Sequence, residues 1–176
     1  MARPYKKRNP GRFSCARSGD SAGDLSARCI EAGAAIVLIK CGFLGLYVRT
    51  AGRGRLAKLG HAKPGDLDNW ADRELFEPSY RAESVVSTTG AGDCAIAGFL
   101  MALLRGCDVA DAIRYGCAVG AQNVTAQDAV SGVRSWDETV AQVAARPAKN
   151  EVTIPLDGWR HDADARHYLG PRDGKQ

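Results

Sequence analysis

The chain reads as an α/β fold in which flanking helices cover a layered parallel sheet, and three observations predict it. Ala35 to Ile39 is an unbroken apolar run of the kind that a strand covered on both faces needs. Gly90 to Gly92 interrupts the chain just before Ile96, Phe99, Leu100 and Leu103, which recur at helical spacing until Gly106. Ser135-Trp136-Asp137-Glu138 is a capping box that opens a further helix. Helices that follow strands along the chain imply a parallel layer.

The elements follow in order. Asp20 or Asp24 caps a helix running through Leu25, Cys29 and Ile30 to Gly33. The strand Ala35–Ile39 comes next, and Gly42 and Gly45 turn the chain into a second strand, Leu46–Arg49. Residues 51–69, rich in Gly, Lys and Arg, read as a loop, and Leu75–Tyr80 and Ser84–Val86 read as short strands. Three helices complete the pattern: one after Asp93, one capped by Asp108 and running to about Val124, and one from the capping box to just before Pro147. Ligands in such sheets gather at the carboxyl ends of strands, where this order puts Gly42 and Gly90.

A chain of 176 residues, 45% hydrophobic and 25% charged, is long enough for one domain with a real core. Residues 1–17 hold Arg3, Lys6, Lys7, Arg8, Arg12 and Arg17 without an acid and without periodicity, which reads as a disordered basic tail. That tail accounts for the formal charge of +4, so nucleic acid is not an expected partner, no aromatic residues being interleaved with the basic ones downstream. It lacks the apolar core of a secretory signal, and no run is long enough to span a membrane. The cysteines at 15, 29, 41, 94, 107 and 117 form no CxxC pair, and the three histidines lie apart from them. Free thiols, no metal site and a cytoplasmic location are therefore expected. After Asn150 the chain alternates charges with aromatics, which points to surface packing by Trp159 and Tyr168.

The chemistry concentrates in Ser87-Thr88-Thr89-Gly90-Ala91-Gly92-Asp93. Small residues at a helix start leave amide N–H groups facing outward at the positive end of the helix, an arrangement suited to phosphate. A carboxylate in the first turn can take a proton from a hydroxyl that attacks that phosphate. The same residues also suit a plain glycine turn with an N-terminal helix acid. No GxxxxGK(S/T) is present, which excludes a P-loop kinase, and no GxSxG supports a serine hydrolase.

Read whole, STTGAGDCAIAGFLMALLRG resembles the DTTGAGDxFxAGF signature of the PfkB, or ribokinase-like, carbohydrate kinases. Residues 33–47 resemble that family's strand–turn–strand segment with its (K/T)xGxxG turn, and residues 112–125 resemble its small-residue helix beside the nucleotide. The resemblance covers about 20–145, the C-terminal half of such kinases. It implies a ribokinase-like fold truncated before its N-terminal half and lid, with a basic tail at 1–17, a half-domain at 18–148 and an extension at 149–176. By the same resemblance Asp93 is the catalytic base, and Gly90, Ala91 and Gly92 form the anion hole. Lys40, Gly42, Gly45, Cys117, Ala118 and Val119 line the nucleotide. ATP and Mg²⁺ are the implied cofactors and a sugar or nucleoside the implied acceptor, while a homodimer or a separate N-terminal half would complete the fold. The alternatives within that resemblance are a nucleoside kinase and a catalytically silent nucleotide-binding remnant. Ser87 stands where the family usually has Asp, Cys117 where Asn is frequent, and Asp128-Ala129 where Gly-Ala is usual.

Overall fold

The computed structural model describes residues 21–152 and 157–174. The expected tail at 1–17 and the candidate cap Asp20 lie outside the described residues. Helix α1 (Ala22–Glu31) is capped by Ser21 rather than by an acid. The Ser21 hydroxyl accepts the Asp24 N–H at 3.1 Å and donates to the Asp24 carboxylate at 2.8 Å, so Asp24 sits inside the first turn instead of ahead of it.

Strand β1 (Ile36–Lys40) turns through the single 3₁₀ turn Gly42–Leu44 into β2 (Gly45–Thr50). Gly45 has φ 132°, and a Cβ there would lie 2.8 Å from the Ser79 nitrogen and run into the Glu77 carbonyl, so this corner admits only glycine. Residues 51–69 are more ordered than a loop. They hold the short helices α2 (Arg53–Leu56) and α3 (Leu67–Trp70), whose Leu56 and Trp70 are fully buried. Strand β3 (Glu74–Pro78) follows, and then the helices α4 (Ala91–Leu104), α5 (Val109–Asn123) and α6 (Trp136–Ala144). The predicted capping box is formed, with the Ser135 and Glu138 side chains exchanging bonds with each other's backbone. The chain ends in a hairpin, β4 (Arg160–Asp162) and β5 (His167–Leu169).

The described strands form one open sheet in the order β1-β2-β3-β5-β4, and every pairing is antiparallel. The layered α/β architecture with flanking helices stands, but the expected parallel pairing does not hold among these strands. A parallel pair needs a crossover between consecutive strands. Here β1, β2 and β3 follow one another through turns and short helices on the same edge, and the long run α4–α5–α6 returns to the sheet as an antiparallel partner of β3. Two smaller expectations also change. Ile36 to Leu38 are only half-buried, because β1 is the edge of the described sheet and has one neighbour. Residues 84–86 form no strand: Val85 and Val86 are exposed, and the Val86 N–H donates to the Val124 carbonyl after α5 rather than to a ladder.

Side chains alternate across the sheet as the pleat requires. Leu46, Val48 and Leu75 face α4 and α5, where Phe99, Leu103, Val109, Ile113 and Ala118 complete the main core. Tyr47 and Phe76 point to the opposite face, where α1 and the C-terminal extension cover them. Trp159 stands edge-on to both rings, at 6.0 and 6.5 Å, and Tyr168 lies 6.3 Å from Phe76, so the extension packs as the sequence implies.

Glu77 falls on the helix-facing side of β3 and is fully buried. Lys149 from the extension meets it at 2.5 Å, and Arg114 and His167 lie at 4.0 Å. Burial pushes the Glu77 carboxyl up to about 7 against the pull of Lys149 and Arg114, and burial pushes His167 down to about 4. This knot ties β5 and residue 149 to β3, together with Arg73, which pairs with Asp173 at 2.8 Å.

Helix α4 carries one charged residue, Asp93, in its first turn. Its inner face packs on α5, while Leu100, Met101 and Leu104 form an apolar stripe open to solvent. No helix among the described residues is long and apolar enough to cross a membrane.

Candidate active site

The site forms where the end of β1 meets the start of α4. Gly90 caps α4 in the left-handed region, with φ 75°, as a glycine turn into a helix requires. The Asp93 and Cys94 N–H groups both bond the Gly90 carbonyl, at 2.9 and 2.8 Å. The Ala91 N–H reaches Thr88 only at 3.4 Å, and the N–H groups of Gly90 and Gly92 have no acceptor among the described residues. Two donors at the positive end of a 14-residue helix are therefore open to an anion.

Three braces hold this turn. The Ser87 hydroxyl accepts the Thr89 N–H at 3.1 Å. Asn123, fully buried at the end of α5, donates to the Thr89 carbonyl at 2.9 Å. Residues 126–133 fold back over the turn: a Cβ on Gly90 would sit 2.7 and 2.8 Å from the Ala129 Cα and Cβ, and the Cys94 thiol donates to the Ala129 carbonyl at 3.2 Å. Asp128 shapes that loop by accepting from the Val130 and Ser131 N–H groups, which hold its carboxyl below the ordinary range.

Asp93 projects into solvent with its side chain 83% exposed, and Lys40 reaches it, Nζ to Oδ1 at 3.1 Å. The Lys40 stem crosses Gly92 on the way: a Cβ at Gly92 would lie 2.8 Å from Lys40 Cδ and 3.1 Å from Nζ. Lys40, Gly92 and Asp93, assigned separately from the sequence, thus occupy one small surface. Gly42, with φ 60° and open space around it, stands two residues beyond Lys40. Cys117, Ala118 and Val119 are elsewhere: all three are buried within α5. The Cys117 thiol donates to the Glu77 carbonyl at 3.5 Å, and Val119 packs against Gly98 of α4. Burial drives the Cys117 thiol well above its usual range, and burial, then the neighbouring Asp93 charge, raises that of Cys94, so neither is a thiolate nucleophile at neutral pH.

The brace from Asn123 escaped the sequence reading, although a signal exists. Ala112, Gly116, Val119 and Asn123 share one helical face, so a polar residue on an apolar stripe marks a side chain with a bond to make. The pairing of Lys40 with Asp93 has no such signal, because 53 residues separate the two.

Among the described residues no three His, Cys, Asp or Glu side chains gather as a metal site, and Asp93 is already engaged by Lys40. These residues do not fit a protein-held Mg²⁺.

The family model described as pfkB family carbohydrate kinase matches residues 13–136. No curated protein matches the chain. Among solved structures it is similar to the ribokinase of Arabidopsis thaliana complexed with ribose and ATP, with 22% identity, a TM-score of 0.53, and coverage of 69% of this chain and 34% of that one. It is also similar to the aminoimidazole riboside kinase of Salmonella enterica complexed with aminoimidazole riboside and an ATP analogue, with 28% identity, a TM-score of 0.50, and coverage of 70% and 37%. A nucleoside kinase of Burkholderia thailandensis in complex with inosine matches with 22% identity, a TM-score of 0.52, and coverage of 71% and 33%. The chain spans about a third of the length of the kinases it matches.

Proposed function

Because the chain belongs to the pfkB family of carbohydrate kinases, we propose that it carries the ATP- and base-bearing part of an enzyme that phosphorylates a hydroxyl of a sugar or nucleoside. The observation that supports this most is the single surface formed by Asp93, Lys40 and the open N–H groups of Gly90 and Gly92. In this reading the phosphates of ATP lie against Lys40, Gly42, Gly45 and the turn at Gly90–Gly92. Asp93 takes the proton of the acceptor hydroxyl, whose oxygen bonds to the γ-phosphorus as the bond to the β–γ bridging oxygen breaks and ADP leaves. Gly90, Ala91 and Gly92 stabilise charge on the group in flight through their N–H donors and the helix end. Cys117, Ala118 and Val119, being buried, support this surface by packing behind it rather than by touching the nucleotide.

A second reading is favoured by the exposure of Asp93: with its carboxylate 83% open to water, nothing among the described residues orients an acceptor against it. The isolated chain is then a nucleotide-binding subunit or remnant whose turnover needs a separately supplied acceptor-binding part. The two readings separate in a fusion of this chain to the N-terminal part of a closely similar longer kinase. If Asp93 is the base, Asp93→Asn in that fusion lowers kcat by about 10²-fold or more and leaves ATP affinity within a few-fold. A folded Asn variant with wild-type kcat contradicts the first reading.

A further inference from the structure

The structure holds a contact that the transfer reaction itself does not call for. Lys40 donates to the carboxylate proposed as the base, and its stem crosses Gly92. A carboxylate oxygen that accepts from an ammonium cannot at that lone pair accept a proton from an incoming hydroxyl, so the observed arrangement is one in which Oδ1 is engaged and Oδ2 is not held by Lys40. The same ammonium lies beside the turn whose Gly90 and Gly92 N–H groups have no acceptor among the described residues. An anion drawn to those donors therefore meets the ammonium as well.

We propose that Lys40 is a phosphate-operated switch on Asp93: without nucleotide it holds Oδ1 of the carboxylate, and the terminal phosphate of bound nucleotide draws it away and frees that oxygen to serve as the base. This rests on the reading of the turn as a phosphate site. Lys40 is then a positioning residue, and the exchange is one of ion partners with no bond broken. The exposure of the pair suits such a role. With side chains 44% and 83% exposed, its attraction is screened by water and amounts to only about a two- to five-fold preference. A polyphosphate with several charges and two amide donors outbids one exposed carboxylate, whereas a buried pair would not let go. The flexible stem of lysine can swing between two acceptors a few ångströms apart, which the planar fork of arginine does less freely.

The test follows the Asp93 side-chain carboxyl ¹³C resonance in the full chain, wild type and Lys40→Met, with backbone amides as a record of fold and occupancy. Removing Lys40 is expected to displace the Asp93 resonance in the nucleotide-free protein. ATP is expected to move the wild-type resonance by at least half of that displacement, towards the Lys40→Met position, and to leave the variant's resonance in place. Adenosine, which lacks phosphate, is expected to move neither, and Lys40→Arg is expected to restore the nucleotide-free wild-type position. If ATP shifts the Gly90 and Gly92 amides while the Asp93 resonance stays put, the switch is wrong although the phosphate site stands. If ATP shifts no amide of the turn, the phosphate reading fails and the switch with it. An adenosine effect equal to that of ATP also overturns the proposal.

Discussion

Gly90→Ala is the sharpest test of how the turn is built. Two costs add. An alanine at φ 75° pays for the left-handed region, about 1–2 kcal/mol. Its methyl would also run into the Ala129 carbonyl oxygen and sit 2.7 and 2.8 Å from the Ala129 Cα and Cβ, where ordinary contact begins at 3.4 Å, so residues 126–133 must retreat by about 1 Å. That retreat loosens the Cys94–Ala129 contact and adds about 1 kcal/mol. The sum, about 2–3 kcal/mol, lowers Tm by about 4–12 °C for a domain of this size. Gly54→Ala supplies the control: Gly54 lies in α2 with nothing within 4 Å of a built Cβ, so alanine there is neutral or stabilising by up to about 1 kcal/mol. Urea and thermal unfolding followed by circular dichroism measure both. A Gly90→Ala protein within 0.5 kcal/mol (about 2 °C) of wild type would refute the reasoning that the backbone and the 126–133 loop dictate glycine at this cap.

Other outcomes follow from the same structure. His167 is depressed from 6.5 to about 4, so its contribution is complete above pH 6.5 and is lost as the pH falls through 4, a loss of up to about 3 kcal/mol. Glu77, raised from 4.5 to about 7, runs the other way: its contribution is complete below pH 4.5 and is lost as the pH rises through 7. His167→Gln is therefore expected to gain stability relative to wild type between pH 7 and pH 4 in urea unfolding, and parallel curves would contradict the burial of a neutral imidazole. The purified chain alone is expected to phosphorylate ribose, fructose and nucleosides no faster than background, because orienting the acceptor supplies much of the rate; robust ATP-dependent turnover would overturn this. The apolar stripe Leu100, Met101 and Leu104 is expected to drive concentration-dependent self-association that Leu100→Lys with Leu104→Lys relieves, and a wild-type monomer at high concentration in sedimentation would argue against it.

The sequence disclosed the local elements better than their assembly. The α4 start at Gly90, the α5 start after Asp108 and the capping box at Ser135 are chemical signals confined to a few residues, and each appears in the structure. Strand direction is not local. The apolar run from Ile36 reads alike in a parallel or an antiparallel neighbour, and only the short links between β1, β2 and β3 decide it. Residues 84–86 failed for a related reason: β-branched Val85 and Val86 favour a strand, but Val124 captures the backbone first. At the site, the turn was legible because glycines and an acid before an apolar helix mark a helix start whether or not an anion binds there. The braces from Asn123 and Ala129 and the contact from Lys40 were not, since each joins residues more than thirty positions apart. The buried Glu77–Lys149 pair hid similarly, as a single acid on a strand and a single lysine beyond α6.

Equilibrium binding to the purified chain measures directly whether this surface takes the phosphates of ATP. Saturable binding of ATP at one site is expected. Gly92→Val, whose branched side chain would displace Lys40 and cover the open amides, is expected to weaken ATP by about ten-fold or more while leaving adenosine unaffected. No ATP binding at millimolar concentration, or equal affinity in the Gly92→Val protein, would contradict a phosphate site at this turn.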